Sequence, residues 1–164
     1  MNFDEVYNRL FKAVLAYVRG RLNCQQSAEE VCSLIWQKAW DKQEQFNPEK
    51  GIVDQWIFGI ARNEVNKYFT IWRIKRFFSL AEEEENLVSA DPTPFEIMEQ
   101  TEKNAMLLQA FSRLNPRERD LISLKYFAHF NNRQIAQMSG LSESNVGTIL
   151  NRAIQKLRVY MEAL

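Results

Sequence analysis

A single histidine, His129, and two cysteines, Cys24 and Cys32, are all the chain offers of the usual soft metal ligands. A structural zinc site takes four nitrogen or sulfur ligands, so none can be built here without carboxylates. No glycine loop fit to cradle phosphate is present either. That leaves little catalytic chemistry to assign, so no enzyme, cofactor, metal or small-molecule substrate is expected. The two thiols read as reduced, small apolar residues on either side of Ser27. His129 reads as a residue that caps or packs near a helix end. No apolar run reaches the ~18 residues of a membrane span. The opening residues Met1-Asn2-Phe3-Asp4-Glu5 are acidic where a signal peptide is basic, so a cytoplasmic protein without membrane insertion is expected. Only five glycines and four prolines interrupt the chain, and no alternating strand pattern occurs. The expected fold is therefore all-α.

Net charge is missing too, with 21 basic and 21 acidic residues, but the sum conceals a pattern. Residues 1–80 hold 12 Lys/Arg against 9 Asp/Glu, residues 81–103 hold 1 against 8, and residues 104–164 hold 8 against 4. Two mildly basic segments thus flank a strongly acidic one, and local field is what steers an anionic partner. The like-charge block Ala81-Glu82-Glu83-Glu84-Glu85-Asn86 and the rigid Asp91-Pro92-Thr93-Pro94 do not suit a core. They imply an acidic, proline-containing linker over 80–95 between two small helical domains, 1–79 and 96–164. The expectation is of two compact modules, flexibly strung, each presenting its own surface.

Helical periodicity fills both parts. Val6, Leu10, Val14, Tyr17, Val18 and Leu22 mark a first helix. Ser27-Ala28-Glu29-Glu30 has the form of a capping box opening a second, with Val31, Leu34, Ile35 and Ala39 and the pair Trp36 and Trp40. After the polar turn Asn47-Pro48-Glu49-Lys50-Gly51, a third helix carries Val53, Trp56, Ile57, Ile60, Ala61, Val65 and Tyr68 on one face and extends to about Phe78. Its other face carries Gln55, Arg62, Asn63, Asn66 and Lys67. A loop feeding such a rim suits an unstacked nucleic-acid strand, although an ordinary wet face has the same pattern. Trp36, Trp40 and Trp56 read as core or interface anchors, and Trp72 beside Arg73, Lys75 and Arg76 as a candidate stacking platform.

The second part starts with a helix bearing Ile97, Met106, Leu107, Ala110, Phe111 and Leu114. Asn115-Pro116-Arg117-Glu118 then restarts the chain, with Asn as N-cap and Pro at the first helical position. The following helix carries Leu121, Ile122, Leu124 and Phe127. Residues 132–153 have helix-turn-helix grammar: Ile135 and Ala136, the turn glycine Gly140, Leu141 plugging the core, Ser142 as cap, and Val146, Ile149 and Leu150 inward. Glu143, Ser144, Asn145, Gly147, Thr148, Asn151 and Arg152 are left facing outwards, short polar groups and one arginine suited to a major groove.

With both halves in this order, the chain resembles bacterial RNA polymerase sigma factors of the extracytoplasmic-function group over nearly its whole length. The resemblance is carried by Ser27-Ala28-Glu29-Glu30-Val31 leading to Lys38-Ala39-Trp40, by Trp56-Ile57-Phe58-Gly59-Ile60-Ala61-Arg62-Asn63, by Leu114-Asn115-Pro116-Arg117-Glu118-Arg119, and by Asn151-Arg152-Ala153-Ile154-Gln155-Lys156-Leu157-Arg158. It implies a transcription initiation factor that binds the clamp and flap of core RNA polymerase, promoter DNA and an anti-sigma factor. It assigns polymerase binding to Val31, Leu34, Ile35, Lys38 and Trp40. It assigns the −10 strand to Asn47, Lys50, Asp54, Gln55, Arg62, Asn63, Asn66 and Lys67, with the loop from Phe46 to Asp54 around a flipped base. The −35 element falls to Glu143, Ser144, Asn145, Gly147, Thr148, Asn151 and Arg152. Where the family usually has a polar pair in the clamp-binding helix, this chain has Ser33 and Leu34. The rival expectations are a stand-alone helix-turn-helix regulator and a sigma-like protein-interaction module.

Overall fold

The computed structural model describes residues 1–22, 24–82 and 102–163. These form seven α-helices: α1 (Phe3–Arg21), α2 (Gln25–Asp41), α3 (Val53–Glu82), α4 (Glu102–Ser112), α5 (Pro116–Tyr126), α6 (Asn132–Ser139) and α7 (Glu143–Glu162), with a 3-10 turn at Gln43–Gln45. Among the described residues there is no strand. Most of the expected linker, and Ile97 with it, lies outside them.

In α1, Asp4 and Glu5 stand in the first turn and Arg19 and Arg21 in the last, each sign opposing the helix dipole at its end. Its buried stripe is Val6, Leu10, Val14, Tyr17 and Val18, as the periodicity requires. Against it pack α2, through Ala28, Val31, Cys32, Ile35, Trp36 and Ala39, and the first half of α3, through Ile57, Phe58, Ala61 and Val65. Beyond Thr70, α3 leaves this core, and every residue from Thr70 to Phe78 is exposed.

The expected capping box at Ser27 does not form. α2 begins two residues earlier, at Gln25, with Cys24 in the cap position and no side-chain cap bond. The first turn is instead tied by Gln25 donating to Glu29 at 2.9 Å and Gln26 to Glu30 at 3.4 Å, and the Ser27 hydroxyl accepts from Tyr68 at 3.1 Å. A tertiary partner and the i,i+4 pairs therefore displace the local cap.

The other helix starts follow their local chemistry. Asn115 accepts from the Glu118 amide at 2.9 Å while the Glu118 carboxylate accepts from the Asn115 amide at 3.0 Å. Asn131 and Gln134 repeat the box at the head of α6. Gly140 takes φ +70°, the left-handed conformation that ends α6, and Ser142 caps α7 by accepting from the Asn145 amide at 3.1 Å.

The two expected helical domains pack directly against each other. α1 lies along α5, and one continuous core runs from Val6 in α1 to Ala153 in α7. That corrects the expectation of independently displayed modules. The close approach depends on Gly20, where a Cβ would come within 2.7 Å of Ser123 Oγ and 2.9 Å of the Phe127 ring.

The thiols differ in the way burial dictates. Cys32 is 3 % exposed, and burial pushes its thiol up to about 11, whereas Cys24 is half-buried. At pH 8 roughly one Cys32 in a thousand is thiolate. Iodoacetamide treatment of the native protein at pH 8 is expected to alkylate Cys24 and spare Cys32; equal labelling by mass spectrometry contradicts that core assignment.

Candidate nucleic-acid interface

On α7, Val146, Leu150 and Ala153 are buried and hold the helix on the core. Glu143, Ser144, Asn145, Thr148, Asn151 and Arg152 are all exposed on its outward side, with Gly147 half-buried. Ser142 and Gly140 set where α7 begins, so this outward row follows directly from the turn. Its side chains are short and polar with one cation at the end, which leaves room for a groove floor and a phosphate.

The rim of α3 is less uniform. Asn63 and Lys67 are exposed, as is Lys50 in the preceding loop. Asn47 accepts from the Glu49 amide at 2.9 Å, an Asx turn that shapes the loop. Asp54 accepts a bidentate pair from Arg9 at 2.6 and 2.8 Å, tying the start of α3 to α1. That hydrogen bond raises the Arg9 guanidinium above its ordinary value, against the smaller pull of burial. Asn66 is exposed, and its carbonyl oxygen accepts from Arg21 at 3.4 Å.

Two rim residues face the other half of the molecule. Gln55 donates to Gln137 of α6 at 3.3 Å. Arg62 donates from Nε and Nη2 to Asp120 of α5, at 3.1 and 2.9 Å, and from Nη1 to the Met138 carbonyl. In this arrangement Arg62 and Gln55 are therefore not open to a strand. Phe58, next to them, stacks edge-on against Phe130 at 5.3 Å.

Asp120 is the centre of that contact. Its Oδ1 accepts from the Tyr17 hydroxyl at 2.7 Å and from Arg21 at 2.8 Å; its Oδ2 takes Arg62. Arg21 also donates to the Tyr17 oxygen at 2.8 Å. Burial first, and then the Asp120 charge, hold the Tyr17 phenol protonated far above its usual range. Arg62 is raised as well: burial is the largest single influence and works against its charge, but the Asp120 hydrogen bond and charge, with Tyr17, together outweigh it. Arg119 donates to the Gly20 carbonyl at 3.1 Å, and burial followed by repulsion from Arg21 pulls it down to about 10. One carboxylate thus holds two guanidiniums, Arg21 and Arg62.

The polymerase-facing set divides by burial. Val31 (4 % exposed) and Ile35 (0 %) belong to the core and are corrected out of any contact surface, because α2 turns them onto α1 and α3. Lys38 pairs with Glu64 at 2.5 Å. Leu34 and Trp40 stand out at 47 and 55 % exposure, Trp40 resting edge-on against Phe3 at 5.1 Å. Trp36 is a core anchor and Trp56 is half-buried, while Trp72 is exposed with Arg76 over its ring at 5.1 Å. His129 is exposed at φ +59° in the α5–α6 turn rather than packed.

Among the described residues no group of three or more His, Cys, Asp or Glu could hold a metal ion, and no helix is long and apolar enough to cross a membrane.

Residues 6–71 match the family Sigma-70 region 2, and residues 110–159 match Sigma-70, region 4. The chain is 26 % identical to the ECF RNA polymerase sigma factor RpoE of Cereibacter sphaeroides, over 97 % of this chain and 86 % of that protein. It is 23 % identical to the ECF RNA polymerase sigma factor SigM of Bacillus subtilis, over 96 and 94 %. Its fold is similar to that of the sigma factor RpoE from Bartonella quintana, solved in complex with the anti-sigma factor NepR. That match has a TM-score of 0.80 and 19 % identity, covering 98 % of this chain and 97 % of the other. With both conserved regions present in their family order, the chain belongs to the extracytoplasmic-function group of RNA polymerase sigma factors.

Proposed function

We propose that this sigma factor reads a promoter at two places while bound to core RNA polymerase, acting in the cytoplasm without catalysis of its own. The outward row of α7 enters the major groove at the −35 element: Ser144, Asn145, Thr148 and Asn151 meet base edges, and Arg152 a guanine or phosphate. Asn63, Asn66 and Lys67, together with Lys50 and Asn47 of the loop, engage the unstacked −10 strand, and Arg62 joins them once it leaves Asp120. Leu34 and Trp40 meet the polymerase clamp. The observation that carries this reading is the pairing, in one chain, of a helix-turn-helix whose outward side chains are exposed and polar with a second amide-and-cation rim on α3.

An anti-sigma factor is the expected regulator. The sigma factor RpoE of Bartonella quintana was solved with the anti-sigma factor NepR, and CnrH, similar at TM-score 0.69 and 19 % identity over 98 % of this chain and 88 % of the other, with the cytosolic domain of CnrY.

Separate substitutions test the division of labour. In run-off transcription with core polymerase, Arg152→Ala is expected to weaken −35 binding by about 1–3 kcal/mol while leaving opening of the −10 element intact. Asn63→Ala is expected to show the reverse. Identical, general loss in both variants contradicts the assignment.

A further inference from the structure

We infer that the free protein masks part of its own −10 surface, at Gln55 and Arg62, with Asp120 as the latch. This rests on the proposed role of the α3 rim and adds a regulation to it. The C-terminal part covers two rim residues, since Asp120 and the Met138 carbonyl take Arg62 and Gln137 takes Gln55, while Phe130 meets the neighbouring Phe58. Asp120 in turn draws side-chain partners from the N-terminal part, namely Tyr17, Arg21 and Arg62, across 103, 99 and 58 residues of chain. It has the form of a contact between two surfaces rather than of support within one.

Two further features point the same way. Gly20 sits in the last turn of α1, where glycine weakens a helix by about 1 kcal/mol relative to alanine. Both groups a Cβ would strike, Ser123 and Phe127, come from the opposing part. What glycine provides here is the approach of α1 to α5. The electrostatics also leave the latch releasable, because Arg21 and Arg62 share one carboxylate. A phosphate strand offers Arg62 a replacement anion, so DNA and Asp120 compete for the same guanidinium. Closure therefore lowers apparent affinity by the fraction of open molecules; with about nine in ten closed, opening recovers roughly tenfold.

The test uses the full chain without partners. Small-angle scattering of the wild type is expected to give a radius of gyration of about 15 Å, the value for one compact body of this length. Asp120→Asn, which keeps the shape and removes the charge, and Gly20→Ala, which favours helix α1 while wedging it from α5, are each expected to enlarge it by several ångströms. Circular dichroism is expected to show retained helicity in both. Phenylglyoxal labelling mapped by mass spectrometry is expected to find Arg62 protected in the wild type and several-fold more reactive in both variants. An expanded wild type, or Arg62 labelled equally in all three proteins, overturns the latch. Failure of the wild type to support core-dependent transcription instead overturns the functional reading and leaves the scattering result standing.

Discussion

Replacing Phe58 by alanine is expected to cost about 3–5 kcal/mol of stability, measured by urea unfolding. The ring is 1 % exposed. It stands edge-on to Tyr17 at 5.6 Å within the N-terminal part and edge-on to Phe130 at 5.3 Å across to the C-terminal part. Truncation removes both aromatic contacts and opens a cavity at the point where the two cores join. It also unseats Tyr17, whose hydroxyl donates to Asp120. The thermal midpoint is expected to fall on the order of 10 °C. A loss below about 1 kcal/mol contradicts the single continuous core.

The second large effect is on binding rather than on folding. Leu34 is 47 % exposed on α2, on the same helix as the exposed Trp40. Leu34→Asp removes little packing, so free stability is expected to change by no more than about 0.5 kcal/mol. At a protein interface the same change buries a carboxylate where an apolar anchor belongs. Affinity for core polymerase is then expected to drop by about 2 kcal/mol, roughly thirtyfold, in a competition titration. Affinity within threefold of wild type contradicts the assignment of this face.

What the amino-acid pattern reveals depends on how far each interaction reaches along the chain. The stripe from Val6 to Val18, the Asn115–Glu118 box, the Gly140 turn and the Ser142 cap all arise within a few residues, and all are visible in sequence. The outward row of α7 follows from them. The start of α2 was obscured because Tyr68, 41 residues away, takes the Ser27 hydroxyl. Periodicity likewise identifies the apolar side of α3 but says nothing of what covers the polar side. Gln55 and Arg62 therefore read as part of a wet rim, whereas Gln137 and Asp120 lie over them. The glycine inside α1 was the local sign of that second contact. Val31 and Ile35 show the opposite error. Their apolar character reports the core, while the exposed Leu34 and Trp40 beside them are indistinguishable from core residues by type alone.

Binding of labelled duplex promoter, with and without core RNA polymerase, tests the account most directly. The free protein is expected to bind duplexes weakly and without sequence preference, at Kd on the order of 10⁻⁴ to 10⁻⁶ M at physiological salt. Added core is expected to produce tight binding and initiation at discrete start sites. Tight, sequence-specific binding by the free protein, with core polymerase adding nothing, would contradict it.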